Sequence, residues 1–152
     1  MVKLSEIICR IESSNNLKTL RFEPMVYQHF DQNINRNLPL IERVKMINRC
    51  DSYSALILLS TSWGLYQFMG ETLYSMLDLK EDIFDFWNNP AIQYKMFIKF
   101  LDIGHFVQYE NDPKALIDSQ NGLYNFSKFY NGPDNFVAYA SKIKETFQEM
   151  EG

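Results

Sequence analysis

Leu4-Ser5-Glu6-Ile7-Ile8-Cys9-Arg10-Ile11-Glu12-Ser13-Ser14 opens the chain with Leu4, Ile7, Ile8 and Ile11 at positions i, i+3, i+4 and i+7. That spacing lines one face of an α-helix, with Glu12 at or near its end. Ser13-Ser14-Asn15-Asn16 is polar turn material and stops the pattern. Leu17 to Glu23 reads as extended and leads into Pro24, the first residue of a short helix through Met25, Tyr27, Gln28 and Phe30. Asp31 to Pro39, rich in Asn, reads as the longest loop. The helical period returns at Leu40 with Ile41, Val44, Ile47 and, less regularly, Cys50. Asp51-Ser52 then supplies an N-cap for the run Tyr53 to Ser60. After a break at Thr61-Ser62-Trp63-Gly64, Leu65, Phe68, Met69 and Leu73 again fall at helical spacing, with Gly70 weakening the middle of the stretch. Lys80 to Trp87, Ile92 to Ile103 and Gly122 to Phe129 are further amphipathic helices. Tyr130-Asn131-Gly132-Pro133 has strong turn chemistry, and Asp134 or Asn135 caps a last helix with Phe136, Tyr139, Ala140, Ile143 and Phe147 inward. The expectation is an all-α single domain over residues 1–152, of about eight short helices, with a small extended segment after Glu12.

Composition supports a packed core. Of 152 residues 46% are apolar, enough to fold without disulfide or metal staples. The 22% of charged residues is close to the usual quarter and argues against disorder. Lys plus Arg is 15 and Asp plus Glu is 19, a formal charge of −4, which lacks the basic footprint of a nucleic-acid binder. Cys9 and Cys50 form no C-x-x-C pair, and His29 and His105 lie far apart, so a zinc site is poorly supported and both cysteines are expected reduced and buried. The amino terminus acquires Glu6 at once and lacks the apolar core of a signal peptide. The longest apolar run, Ala55 to Leu59, is far short of a membrane span. A soluble chain kept in the cytosol of the producing cell is expected.

Three local features stand out: Arg10-Ile11-Glu12-Ser13-Ser14, Ser62-Trp63-Gly64-Leu65-Tyr66-Gln67-Phe68-Met69-Gly70 and Phe129-Tyr130-Asn131-Gly132-Pro133. Taken singly, each has an ordinary reading as a solvated helix end, a half-buried amide or a turn. In this order they resemble the lysozyme-like superfamily, in which a Glu-Ser at the end of a core helix is followed by Gly-Leu-x-Gln and then Tyr-Asn-Gly. Goose-type lysozymes and lytic transglycosylases share that order. The closer resemblance is to the phage-type N-acetylmuramidase domain of endolysins. Its Ser-x-Ser-Trp-Gly-Leu-Phe-Gln-Ile-Met-Gly is nearly reproduced by Ser60 to Gly70, and its Tyr-Asn-Gly-Pro is Tyr130 to Pro133 unchanged. Phe22-Glu23 with Tyr27 and Phe30, and Gln93 to Phe100, also resemble that family, so the similarity runs over nearly the whole chain. One departure is Glu12-Ser13-Ser14-Asn15, where the family has Glu-Ser-Gly-Gly.

The resemblance implies cleavage of the β-1,4 bond between N-acetylmuramic acid and N-acetylglucosamine, without a cofactor or metal. A carboxylic acid delivers a proton to such a leaving group near neutral pH if an apolar setting keeps it protonated, the lysozyme glutamate being the known example. Glu12, beside the Ile7, Ile8 and Ile11 face, is the candidate acid. A second carboxyl stands about 5–5.5 Å away in retaining glycosidases and about 6.5–9.5 Å away in inverting ones. Glu23 matches a family glutamate and is the candidate for it, whereas Asp51 and Glu71 read as N-cap and surface residues. Lytic transglycosylases manage with one Glu, because the muramoyl 6-hydroxyl attacks in place of water. Ser13, Gly64, Gln67, Tyr130 and Asn131 are the implied substrate-binding residues, with Gly64 and Gly132 giving backbone access to the sugar. Trp63 reads as core rather than as a sugar-stacking ring. The implied partner is the glycan strand of bacterial peptidoglycan, met by a monomer with no nucleic acid and no stable membrane insertion. The implied role is that of a phage or prophage endolysin acting on the wall after release. A lytic transglycosylase and an inactive lysozyme-fold wall-binding or virion structural protein are the alternatives.

Overall fold

The computed structural model describes residues 1–152 and contains ten α-helices and one small antiparallel sheet. The chain forms two compact units, one of residues 1–15 with 97–152 and one of residues 16–96. The chain is predominantly helical, as the all-α expectation requires, with ten helices rather than about eight and a three-stranded sheet that includes the extended segment after Glu12.

The first unit begins with α1 (Leu4–Ser13). Leu4, Ile7 and Ile8 are fully buried and Ile11 half-buried, as the periodicity requires. The buried Glu110 caps α1 from afar: its carboxylate accepts from Ser5 N at 2.9 Å and Ser5 Oγ at 2.6 Å, and its carbonyl accepts from Leu4 N at 3.0 Å. A carboxylate there also complements the positive end of the helix dipole. Ser14 and Asn15, with φ of 53° and 62°, turn the chain away after Ser13. The unit is completed by the end of α7 (Pro90–Ile103), a 3-10 turn at Val107–Tyr109, α8 (Pro113–Asp118), α9 (Gln120–Asn131) and α10 (Phe136–Glu151). Helix α10 packs on α1 and α9, and α8 on α9. Phe97, Leu101, Leu116, Leu123, Phe126 and Ile143 fill the space between them. Asn135 sits at the N-cap of α10, but its side chain makes no capping bond. Helix α8 has no apolar period in its six residues; Asp112 capping Ala115 N at 3.1 Å and Pro113 at its start define it.

The second unit holds β1 (Leu20–Phe22), β2 (Thr61–Trp63) and β3 (Phe68–Met69) in the order β1-β2-β3, all antiparallel. Leu20 pairs with Trp63 and Phe22 with Thr61; Ser62 pairs with Met69 and Trp63 with Phe68. The expected helix through Leu65 and Phe68 is therefore a β-hairpin. Gly64 and Gln67, with φ of 77° and 50°, reverse the chain there. All three residues of β2 are buried, so no alternation of apolar and polar residues marks the strand. Gly70 does not lie in the middle of a helix; it opens α5 (Gly70–Tyr74), where a Cβ would stand 2.0 Å from Leu58 O.

Around the sheet lie α2 (Pro24–Gln32), α3 (Leu38–Asn48), α4 (Ser52–Leu59), α6 (Ile83–Asn88) and the first part of α7. The expected loop at Asp31–Pro39 is helical as well. Helix α2 runs to Gln32, a 3-10 turn covers Ile34–Asn37, and Pro39 lies in the first turn of α3. Asn33 and Asn37 donate their amides to His29 O and Asn33 O, so side chains that suggest a loop instead satisfy carbonyls one turn back. Asp51 caps α4 as expected, accepting from Ser54 N at 2.7 Å. Helix α6 starts three residues later than the period suggests, where Asp82 caps Asp85 N. Asn48 and the fully buried Tyr74 hold the unit's core together: Asn48 Nδ2 donates to Tyr74 Oη at 3.0 Å, Asn48 Oδ1 accepts from Ile83 N at 2.7 Å, and Tyr74 Oη donates to Glu81 O at 3.0 Å. Burial pushes the Tyr74 phenol up to about 12. Cys9 is buried, but Cys50, which follows the end of α3, is only half-buried.

Candidate active site

Glu12 lies in the last turn of α1 and is half-buried. Its Oε1 accepts the phenol of Tyr139 from α10 at 2.5 Å. Tyr139 is 7% exposed, and its ring stacks on that of Tyr130, with centroids 5.9 Å apart and planes at 11°. Tyr130, near the end of α9, meets Phe97 and Phe100 edge-on at 6.4 and 5.4 Å. The carboxylate therefore sits at the edge of an aromatic wall and is gripped by a buried donor. Burial first, then the Glu12 charge and the hydrogen bond, hold the Tyr139 phenol well above the ordinary tyrosine range. The phenol thus keeps its proton and remains a donor.

The other expected residues of this unit are placed as follows. Ser13 is buried and its hydroxyl donates back to Cys9 O at 3.0 Å. Asn131 is exposed as the last residue of α9. Gly132, with φ of 83° and nothing within 4 Å of where a Cβ would be, ends that helix in open space.

In the second unit the hairpin turn is built from polar contacts. Gln67 Nε2 donates to Gly64 O at 2.9 Å and to Thr19 O at 3.1 Å. Both partners are carbonyls, so the amide nitrogen is committed to the backbone, and Oε1 is the end of the side chain available to accept from a ligand. Gly64 is buried, and a Cβ on it would lie 2.2 Å from Gln93 Oε1. The side chain of Gln93, fully buried, fills that space: Oε1 accepts from Leu65 N at 2.7 Å, and Nε2 donates to Phe86 O and Trp87 O, both at 3.2 Å. Trp63 is 5% exposed, packs edge-on against Trp87 and donates Nε1 to Leu58 O, as a core residue does.

Glu23 is the N-cap of α2 and half-buried, and its Oε1 accepts from Arg21 Nε at 2.5 Å. Asp51 and Glu71 are exposed at helix starts. The structure thus places Glu12, Ser13, Tyr130 and Asn131 in one unit and Glu23, Gly64 and Gln67 in the other. No group of three or more His, Cys, Asp or Glu side chains converges to hold a metal ion. No helix is long and apolar enough to cross a membrane.

Two residues, one in each unit, have roles that the motifs do not announce. Tyr139 reads as core, although a buried phenol needs a polar partner, and that need is the one available signal. Gln93 interrupts the inward face of α7 that continues through Met96, Phe97, Phe100 and Leu101; an amide in such a row signals a buried bond to the backbone.

Comparison with known proteins bears on the same residues. The family model for N-acetylmuramidase, named Muramidase, matches residues 11–151. The chain is 32% identical over 134 residues to an endolysin of Enterobacteria phage PRD1, covering 88% of this chain and 89% of that protein. No solved structure matches.

Proposed function

The chain belongs to the N-acetylmuramidase family, and on that premise we propose that it hydrolyses the β-1,4 bond between N-acetylmuramic acid and N-acetylglucosamine with Glu12 as general acid. The observation that carries this reading is the half-buried Glu12 carboxyl at the end of a core helix, held through one oxygen by a buried phenol. Its other oxygen can deliver a proton to the glycosidic oxygen while the C1–O bond breaks and positive charge develops on the muramoyl ring. Water then adds at C1. In hydrolysis with Glu23 as base, Glu23 takes the proton released by that water, and exchange with solvent resets both carboxyls.

The substrate contacts follow from the polarity each residue leaves available. Gln67 Oε1 accepts an acetamido N–H, since its nitrogen is occupied by Gly64 O and Thr19 O. Tyr130 and the exposed Asn131 amide border the sugar, and Ser13 shapes the turn beside Glu12. The biological role is that of a phage or prophage endolysin, acting as a monomer on the glycan strands of the wall after release.

One observation favours a second reading. Glu23 Oε1 already accepts from the Arg21 guanidinium, which engages one of the two oxygens that could take a proton from water. With Glu12 acting alone, the muramoyl 6-hydroxyl attacks C1 and returns its proton to the Glu12 carboxylate, and the product is a 1,6-anhydro sugar, as in lytic transglycosylases. Mass spectrometry of digested peptidoglycan separates the two: hydrolysis leaves a free reducing end on muramic acid, and fragments lighter by one water overturn it. A protein that releases neither product from any wall is a binding protein.

A further inference from the structure

The family motifs contain Glu12, Gln67 and Tyr130, but not the residue that touches Glu12 from α10. We propose that Tyr139 is the positioning residue of the catalytic acid: its phenol holds Glu12 Oε1, so the second carboxyl oxygen presents its proton in one direction. The inference rests on the reading of Glu12 as general acid.

The geometry is that of a fixed donor. The Oη–Oε1 distance is 2.5 Å, and the ring is buried and stacked against Tyr130, itself wedged against Phe97 and Phe100. Ala140, Ile143 and Phe147 anchor the same helix in the core over the turns that follow. A glutamate has three rotatable side-chain bonds, and this contact narrows the directions its carboxyl samples. A misplacement of about 1 Å in a reacting group costs on the order of 10²-fold in rate.

The contact also has a chemical sign. A phenol donates more strongly to a carboxylate than to a carboxylic acid, so it favours the form Glu12 takes after proton transfer. Removing it favours the protonated form. Activity that requires protonated Glu12 then persists to higher pH, and the alkaline limb of the profile moves up. Other charges near these helices are unchanged by that removal. On α1, Arg10 pairs with Glu149 of α10 at 3.0 Å, and both are exposed. Lys142 and Glu145 of α10 are exposed, and Lys128 of α9 lies over the Phe136 ring at 4.3 Å. The Tyr130 phenol stays in place.

The test compares the parent, Tyr139→Phe and Glu12→Gln on soluble peptidoglycan strand fragments across pH. The expected result for Tyr139→Phe is a kcat lower by about 10–100-fold, KM nearly unchanged, an alkaline limb shifted upward, and a circular dichroism spectrum like the parent's. Site-specific 3-fluorotyrosine at position 139 keeps the ring's shape and strengthens the donor, so it moves the limb the opposite way; it decides the matter if Tyr139→Phe does not fold. Parental kcat and an unmoved limb in both variants, or a loss of activity that only follows the folded fraction, overturns the proposal. An active Glu12→Gln overturns instead the reading of Glu12 on which it rests.

Discussion

Replacing Gln93 with leucine removes the amide that holds the hairpin turn from behind while nearly keeping its volume. Leu65 N loses its acceptor at 2.7 Å; an unsatisfied buried N–H costs about 1–3 kcal/mol. The two donations from Nε2, at 3.2 Å to Phe86 O and Trp87 O, add about 0.5–1.5 kcal/mol each at most. Phe86 O keeps Asn89 N at 3.2 Å, so its share is at the low end. Burial of leucine in a site that is fully enclosed returns about 1–2 kcal/mol. The net loss is about 2 kcal/mol, which in a chain of this length lowers Tm by about 4–8 °C. Differential scanning calorimetry measures the shift, and hydrogen exchange at the Leu65 amide reports the lost bond directly. Cleavage at low temperature, where the fold persists, should also weaken, because the turn carries Gln67. A Tm within about 1 °C of the parent, with Leu65 still protected, would refute the assignment of Gln93 as the support of the turn.

The two positive-φ glycines should separate in urea denaturation. Gly132→Ala meets only the cost of its backbone, φ 83° with ψ 171°, in open space, about 1–3 kcal/mol, whereas Gly64→Ala adds to the cost of φ 77° the displacement of Gln93 and should lower the urea midpoint further. Stability should also fall in alkali. The Tyr74 phenol is raised in the folded state from 10.0 to about 12, so its contribution is fully present below pH 10 and is lost as pH rises through about 12. Urea midpoints from pH 8 to 11 should decline in the parent and decline less in Tyr74→Phe.

What the sequence made legible depended on how local the determining physics is. The α1 face, the Asp51 cap and Pro24 at the start of α2 each depend on residues within one or two turns, and each is where periodicity and capping chemistry place it. The hairpin at Thr61–Met69 is not legible that way. Its strands are three and two residues long and mostly buried, and Leu65, Phe68 and Leu73 imitate a helical spacing. Its motif is nevertheless recognisable as a family one, since Trp63-Gly64-Leu65-x-Gln67 reads the same whatever backbone carries it. The grip of Tyr139 on Glu12 joins residues 127 apart in the chain. Spacing carries no trace of such a contact; only the need of a buried phenol for a partner hints at it.

The central claim is that Glu12 supplies the proton, and Glu12→Gln tests it most directly. The amide keeps the volume and still accepts from Tyr139, so the fold and Tm should be retained. It has no acidic proton to give, and general acid catalysis contributes about 10²–10⁴-fold. Reducing ends released from purified peptidoglycan per unit time should therefore fall by about that factor, to near background. A folded Glu12→Gln protein that releases them at the parental rate would contradict the mechanism.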